Sequence, residues 1–299
     1  MNFRILTIIV LSSFVSFQNI FANTFLAKDS TEKKHEAPIL LNKKGIPILP
    51  EAGDWAIAFD AVPLLEFSAS VLSNNMVTPQ AGFTGGYPLS ISGKYFKSND
   101  LAYRGRLMLN MGRDNVNKIV QNDREINDNP DATLSDTRQI GNTQGVLAFG
   151  IEKRKGKTRI QGIYGAEALL MFNRTKTDYN YGNSFTESNT NPSTSNFDDG
   201  NIVAPGQRIL SNAGGGEFGI GARAFIGVEF FVMPKLSLGM EYGLAMMFTN
   251  VSPKTNIVES WDTPNQAIER KTTTVEGRAN NFGLNGDVSG GAIHLTFYF

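Results

Sequence analysis

The sequence predicts an all-β protein, an eight-stranded antiparallel transmembrane β-barrel with short periplasmic turns and four long extracellular loops. Eight segments alternate apolar and polar residues with the period of a β-strand. The connections between these segments are alternately short and long, which is the sidedness of a membrane barrel. A soluble β-sandwich is the alternative, but a sandwich has no reason to sort its loops by length.

The last segment, residues 289–299, shows the alternation clearly. One face carries Ile293, Leu295, Phe297 and Phe299, and the chain ends on an aromatic side chain. Such an edge would promote aggregation of a soluble protein, unless a sandwich buried it or a closed barrel removed the edge. The segment resembles the terminal strand by which bacterial outer-membrane barrels are recognised for insertion. This resemblance implies the barrel-assembly machinery as a partner.

The first 22 residues have the organisation of a cleavable secretory signal. A basic residue, Arg4, precedes an apolar run from Ile5 to Val15, and the small residue Ala22 follows. A membrane anchor is the alternative, but the run is shorter than the roughly 20 residues of a spanning helix. The chain has no cysteine for lipid attachment or disulfides. We therefore expect a mature chain that starts at Asn23 and lies in the outer membrane of a Gram-negative bacterium.

Composition favours many strands over packed helices. The 299 residues include 30 glycines and 21 phenylalanines, and 41% are apolar, yet no long apolar run follows the signal. Lysine and arginine together number 28, as do aspartate and glutamate, and no basic stripe accumulates. This balance argues against nucleic acid as a partner.

Residues 23–52 are predicted to form a periplasmic N-terminal extension rather than a domain. They combine lysines with two short apolar stretches, Pro38–Leu41 and Ile46–Pro50, whose prolines interrupt both regular periods. The barrel is predicted to span residues 53–299. Its predicted lipid-facing residues, strand by strand, are Trp55, Ile57, Phe59; Leu89, Ile91, Tyr95; Leu101, Tyr103, Leu107, Leu109, Met111; Leu147, Phe149, Ile151; Ile160, Tyr164, Leu170, Phe172; Phe218, Ile220, Ile226, Val228, Phe230; Leu236, Leu238, Met240, Tyr242, Leu244, Met246, Phe248; and the terminal set above.

Connection length indicates which end of the barrel faces the periplasm. The short connections are residues 98–100, 155–157 and 234–235, and the long ones are residues 63–87, 112–145, 173–215 and 250–288. Short turns lie in the periplasm and long loops outside. Protease added to whole cells is therefore expected to cut within 173–215 and to spare 155–157.

The same alternation assigns eleven charged residues to the barrel interior. They are Asp60, Lys94, Arg104, Arg106, Glu152, Arg159, Glu167, Glu217, Arg223, Glu229 and Glu241. A barrel of eight strands is just wide enough to be filled by its own side chains, so these charges are predicted to pair and plug the lumen. Glycines on the same face, such as Gly219 and Gly243, leave room for long side chains. A narrow gated path is the alternative, and it requires that the network open.

The signal, the eight segments, the Gly-rich hairpin 219–242 and the terminal Phe299 together resemble the small eight-stranded outer-membrane β-barrel family, which includes OmpA-, OmpX- and OmpW-like barrels. The Gly53-Asp54-Trp55 sequence is similar to that of barrels from Bacteroidetes. The resemblance covers residues 53–299 in pattern. It implies the fold, with outer-membrane lipid and lipopolysaccharide as partners, but no activity. Members of such families act as structural anchors, adhesins, small-ligand channels or lipid-modifying enzymes.

Candidate catalytic residues are few. Of the two histidines, His35 lies in the extension and His294 faces the predicted lumen, two residues from Thr296. Hydrolysis needs a base beside a nucleophile. We interpret His294 as a member of the charge network rather than as that base. No cluster of histidine or cysteine indicates a metal site, and no cofactor is predicted.

Two of the long connections have distinct compositions. The run Glu187–Asn196 is polar throughout and is expected to be hydrated and mobile, either as a solvated shield or as a binding surface for glycan, phage or a partner protein. Residues 63–72 place leucine, phenylalanine and valine near one helical face after Pro63. They predict a short helix on the barrel rim, or alternatively a lid over an apolar ligand.

Three functions remain open from the sequence. The first is a non-enzymatic outer-membrane protein with a structural or surface-interaction role, such as an accessory subunit of a larger complex with an envelope protein as partner. The second is a narrow channel or transporter for a small or apolar ligand. The third is a lipid-modifying enzyme, which a hydroxyl group hydrogen-bonded to His294 would favour.

Overall fold

A computed structural model describes residues 40–61, 89–286 and 292–299, and all regular structure in these ranges is β-strand. The strands are β1 (Trp55–Asp60), β2 (Leu89–Ser98), β3 (Leu101–Gln121), β4 (Thr133–Lys155), β5 (Ile160–Asn180), β6 (Ile202–Ala204), β7 (Gln207–Ala213), β8 (Glu217–Met233), β9 (Leu236–Val251), β10 (Lys254–Asp262), β11 (Ala267–Glu276), β12 (Ala279–Gly286) and β13 (Ala292–Tyr298). These ranges contain no helix that is long and apolar enough to cross a membrane. The predicted signal and the helix predicted at residues 63–72 lie outside the described residues.

Eight of the strands form a closed antiparallel ring in the order β1, β2, β3, β4, β5, β8, β9 and β13. The ring closes because β13 pairs with β1, from Ala56↔Tyr298 to Asp60↔His294. These strands are the eight alternating segments of the sequence. The prediction of an antiparallel sheet that passes through eight strands is therefore confirmed.

Three short turns lie at one end of the ring, which we call the short-turn end. They comprise residues 99–100, 156–159 and 234–235, close to the predicted positions. Gly156 has a φ of 142°, and a Cβ there would lie 2.9 Å from the carbonyl oxygen of Ile160. The β4–β5 turn therefore requires glycine at this position.

The long connections differ from the loops that the sequence predicted. β3 and β4 stay paired as far as Gln121↔Thr133, so only residues 122–132 turn. β7, β10 and β11 continue the sheet beyond β5, β6 pairs with β7, and β12 pairs with β9. We call residues 181–213 together with β10 and β11 the outer extension. Its strands lack a clear apolar–polar alternation, and every residue of β11 is exposed.

The two faces of the ring have the opposite polarity to that of a soluble protein. Large apolar side chains point outward, with Ile226 67% and Phe149 60% exposed, whereas Glu152 inside the ring is 0% exposed. Nearly all predicted outward-facing residues with a described side chain are exposed or half-buried. The alternation of side chains along a strand therefore assigns the inner and outer faces correctly.

Residues 40–54 pack against the short-turn end. Ile48 is 2% exposed and lies in a small apolar core with Phe96, Phe231 and Tyr298. The backbone of Lys235 donates a hydrogen bond to the carbonyl oxygen of Ile48, at 3.4 Å. This part of the predicted extension thus covers the interior of the ring at that end.

Candidate functional site

The interior of the ring is occupied by a group of buried charged side chains. Residues two apart on a strand share a face, so pairs such as Arg104 with Arg106 both point inward. We call the following residues the interior network: Lys94, Arg104, Arg106, Glu152, Arg154, Glu167, Arg223, Glu229 and Glu241. Among the described parts of the chain, this is the densest set of ion pairs.

Arg104 makes the most ion pairs in the part of the network farther from the short turns. Its guanidinium lies 2.8 Å from Glu167, 3.0 Å from Glu241 and 3.2 Å from Glu152. Arg223 lies 2.9 Å from Glu241 and 3.1 Å from Glu167, so the same carboxylates are shared between arginines. Shared carboxylates of this kind hold several strands in one arrangement.

Arg154 organises the part of the network nearer the short turns. It pairs with Glu152 at 3.0 Å and also with Glu229. Its Nη2 donates to the Tyr298 hydroxyl at 2.7 Å, and that hydroxyl donates to Glu229. Ser237 donates to the same glutamate at 2.5 Å. Arg154, Ser237 and Tyr298 thus give these carboxylates donors from three strands, as buried charges require.

Aromatic rings cover both arginines. The guanidinium of Arg104 lies 4.3 Å from the ring centroid of Phe225, and that of Arg154 lies 4.9 Å from the centroid of Phe96. Gly243 makes room for Arg223, because a Cβ there would lie 2.3 Å from its Nε. Cation–π contacts and close packing leave these side chains few alternative positions.

Little free space remains beside the network. A cavity of about 10 Å³ lies among Lys94, Arg104, Glu241 and His294. This volume is close to the minimum that holds one water molecule. A hydrated ion therefore has no path through this part of the interior unless several ion pairs separate.

The structure brings together eight of the eleven residues predicted for the interior, and these eight belong to the network defined above. The other three lie elsewhere. Asp60 ends β1 opposite His294, Glu217 begins β8, and Arg159 lies at the β4–β5 turn, where it donates to the carbonyl oxygens of Phe231 and Val232.

Sequence reasoning missed Arg154, Ser237 and Tyr298. The signal for Arg154 was present, because it lies two residues from Glu152 and so shares its inward face. Tyr298 alternates with the outward Phe297 and Phe299, so its inward direction also followed from the strand period.

His294 lies beside the network on β13. It lines the small cavity, and its Nε2 has no hydrogen-bond partner among the described residues. Thr296 is 1% exposed on the same strand. The hydroxyl contact to Nε2 that a nucleophile–base pair would need is therefore not seen in the described ranges. Those ranges also contain no group of histidine and acidic residues arranged to hold a metal ion.

The outer extension shares a small core with the end of β5, built from Tyr179 of β5 and from Tyr181, Phe197 and Ile209 of the extension. Burial raises the pKa of Tyr181 to about 12, so its hydroxyl stays protonated and donates to the carbonyl oxygen of Ile209 at 2.7 Å. The buried guanidinium of Arg208 lies 4.4 Å from the ring centroid of Tyr181. Arg208, in β7, also pairs with Glu259 of β10 at 3.0 Å. This ion pair joins residues 181–213 to the β10–β11 part of the extension.

The polar run Glu187–Asn196 is held against the β3–β4 hairpin by hydrogen bonds. Asp136, fully buried at the far end of β4, accepts hydrogen bonds from the backbone N–H groups of Gly182 at 2.8 Å and Ser195 at 2.7 Å. Asp123 accepts from the backbone N–H of Ser193 at 2.7 Å. Carboxylates from the β3–β4 hairpin thus replace the apolar contacts that the run lacks.

No protein-family model matches the chain, and no curated protein is significantly similar to it.

Proposed function

We propose that the ring is a closed, plugged β-barrel of the bacterial outer membrane that holds the outer extension at the cell surface, in a structural or surface-interaction role. The observation that carries this proposal is the reversed polarity of the ring. Its outer face is apolar, and its interior contains the charges. No catalytic step is assigned to it.

The outer face is the first support. Apolar side chains from neighbouring strands form one continuous belt, which includes Ile226 at 67%, Phe230 at 45% and Met240 at 56% exposure. A soluble monomer rarely exposes so large an apolar surface. The hydrocarbon of a bilayer would cover the belt, and the closed ring leaves no unpaired backbone edge along these strands.

The interior is the second support. Charges that are buried and paired resemble a plug rather than a pore lining, because a water-filled channel would leave them solvated. The described long connections, residues 122–132 and the outer extension, lie at the end opposite the short turns. In a barrel with periplasmic turns, the outer extension would therefore face the exterior, where lipopolysaccharide or an envelope protein could contact it.

Insertion can be tested with the two tryptophans of the chain. Trp55 lies on the outer face of β1 and is 56% exposed, whereas Trp261 lies in β10 of the outer extension. The Trp261→Phe variant leaves Trp55 alone, and the Trp55→Phe variant leaves Trp261 alone. Both would be reconstituted into vesicles of phosphatidylcholine brominated on its acyl chains, and their fluorescence compared with that in unbrominated vesicles.

Bromine quenches a tryptophan only at short range, so we expect strong quenching of Trp55 and little of Trp261. The second variant is the matched control for adsorption of the whole protein to the vesicle surface. Equal quenching of both tryptophans, or quenching of neither, would rule out the proposed insertion.

A further inference from the structure

A groove on the outer wall of the ring lies beside the β4–β5 turn, at the short-turn end. It has a volume of about 390 Å³ and is lined by Leu40, Lys157, Thr158, Arg159, Ile160 and Phe230. The interior network does not use it. Its lining combines apolar side chains with two cations, which is the chemistry of an amphipathic ligand.

The apolar part of the groove continues the belt on the outer face. Ile160 and Phe230 are directly paired residues of β5 and β8, and they are 57% and 45% exposed. Leu40 comes from the segment under the ring and forms a third apolar side. An acyl chain that already contacts the belt could extend into this groove without crossing a polar surface.

The cationic part of the groove is held by the turn. Arg159 Nη1 donates to the carbonyl oxygens of Phe231 and Val232, each at 3.1 Å, so the guanidinium is fixed at the groove. Lys157 is exposed beside it, and the stretch from Lys153 to Arg159 contains no acidic residue. A fixed guanidinium group beside an exposed ammonium group can bind a phosphate group.

We propose that this groove binds an anionic phospholipid of the leaflet on the short-turn side, with an acyl chain against Ile160 and Phe230 and the phosphate at Lys157 and Arg159. The inference rests on the proposed membrane insertion. Charge complementarity selects this occupant, because the cations lie at the level where the apolar belt ends and lipid headgroups begin.

The experiment places a reporter in the groove. Phe230→Trp would be introduced in a chain that also carries Trp55→Phe and Trp261→Phe. Quenching of this single tryptophan would be compared in vesicles that contain brominated phosphatidylglycerol or brominated phosphatidylcholine, at the same total lipid composition. The ratio measures the preference of the groove for the anionic lipid over the zwitterionic one.

Two further variants test whether the preference for the anionic lipid arises at the groove. Lys157→Ala removes a groove cation, and Lys97→Ala removes an exposed cation from the β2–β3 side of the same end. We expect the reporter to be quenched more by phosphatidylglycerol, and Lys157→Ala to lower this preference about five-fold, the weight of one basic residue near an anionic surface. Lys97→Ala should leave it nearly unchanged.

The outcomes separate the two proposals. Equal quenching by both lipids, or an equal effect of the two lysine variants, would overturn the lipid site and leave membrane insertion standing. A reporter that neither lipid quenches would overturn insertion itself. Loss of the preference in Lys157→Ala alone supports a specific site.

Discussion

Arg104 shows how the interior charges depend on one another. Its side chain is 1% exposed and pairs with three glutamates that come from three different strands. Removing such a charge from water is costly, and only close partners offset the cost. Replacing Arg104 would therefore be costly mainly because of its partners, since each of the three glutamates would remain buried without this arginine.

We expect Arg104→Ala to lower the free energy of unfolding by about 3–5 kcal/mol, the usual cost of leaving buried charges without their partner. Lys254→Ala is the matched control, because Lys254 pairs with Glu276 at 2.8 Å in a solvent-exposed setting. An exposed pair contributes about 0–1 kcal/mol. Urea titrations of refolding into vesicles, followed by tryptophan fluorescence, measure both. Similar small losses in the two variants would contradict a tightly coupled network.

The inward direction of Arg104 and Glu241 could be predicted from the sequence, but their contact could not. Direction follows from the two-residue period of a strand. The contact depends on the stagger between strands around the closed ring, since these residues lie 137 positions apart. The alternation of one strand contains no information about that stagger, so the pairing had to come from the structure.

The segment of residues 40–54 is an element that the sequence showed only as an irregular extension. Its prolines remove regular structure, so no period marks the residues that are buried, Ile48 and Pro50. The structure distinguishes Ile48, 2% exposed, from Ile46, 45% exposed, although only two positions separate them. Ile48 and Ile46 therefore provide a matched pair of substitution sites that lie only two residues apart.

We expect Ile48→Ala to lower the free energy of unfolding by about 2–5 kcal/mol, because it opens a cavity against Phe96 and Phe231. Ile46→Ala should change it by less than about 0.5 kcal/mol. Urea titration of both variants in vesicles provides the test. If Ile48→Ala is as mild as the control, residues 40–54 do not contribute to the stability of the ring.

The attachment of the polar run to the β3–β4 hairpin should depend on pH. Burial raises the pKa of Asp123, but hydrogen bonds from Ser193 and Asn189 and the charge of Arg208 outweigh it and lower the pKa overall. The folded-state pKa thus lies below the unfolded value of about 3.9. The stabilisation is complete above that value and is lost as the pH falls through the folded-state pKa.

Hydrogen exchange at the amide of Ser193, corrected for the intrinsic rate, should therefore accelerate below about pH 4. In Asp123→Ala, exchange should be fast at pH 7 and lose this pH dependence. Acceleration at low pH in both proteins alike would assign the effect to another group.

The strands of the outer extension could not be predicted from the alternation of side chains. β10 and β11 pair at eight positions from Thr255↔Thr274 to Asp262↔Ala267, and Lys254↔Glu276 adds a ninth pair beyond a register shift. Their sequences alternate weakly because every residue of β11 is exposed and most of β10 is only half-buried. The ring strands were predictable since each has one apolar and one polar or small-residue face.

At the scale of the whole molecule, the closed ring and the interior network have separable roles. The backbone ladder and the outer belt hold the eight strands together, whereas the network fills the space that they enclose. A change confined to the interior should thus alter permeability before it prevents folding. The double variant Arg104→Ala/Arg106→Ala is suited to this test, because together these arginines contact Glu152, Glu167 and Glu241.

In planar bilayers, we expect the unaltered protein to conduct ions poorly and the double variant to show larger, cation-selective conductance. The variant leaves Lys94, Arg154 and Arg223 among four carboxylates, so water and cations would enter to solvate the excess negative charge. Arg113→Ala/Arg174→Ala removes the same charge from exposed positions on β3 and β5, and it should conduct as poorly as the parent. Large, steady currents from the unaltered protein would contradict the plugged interior and would favour a transport function instead.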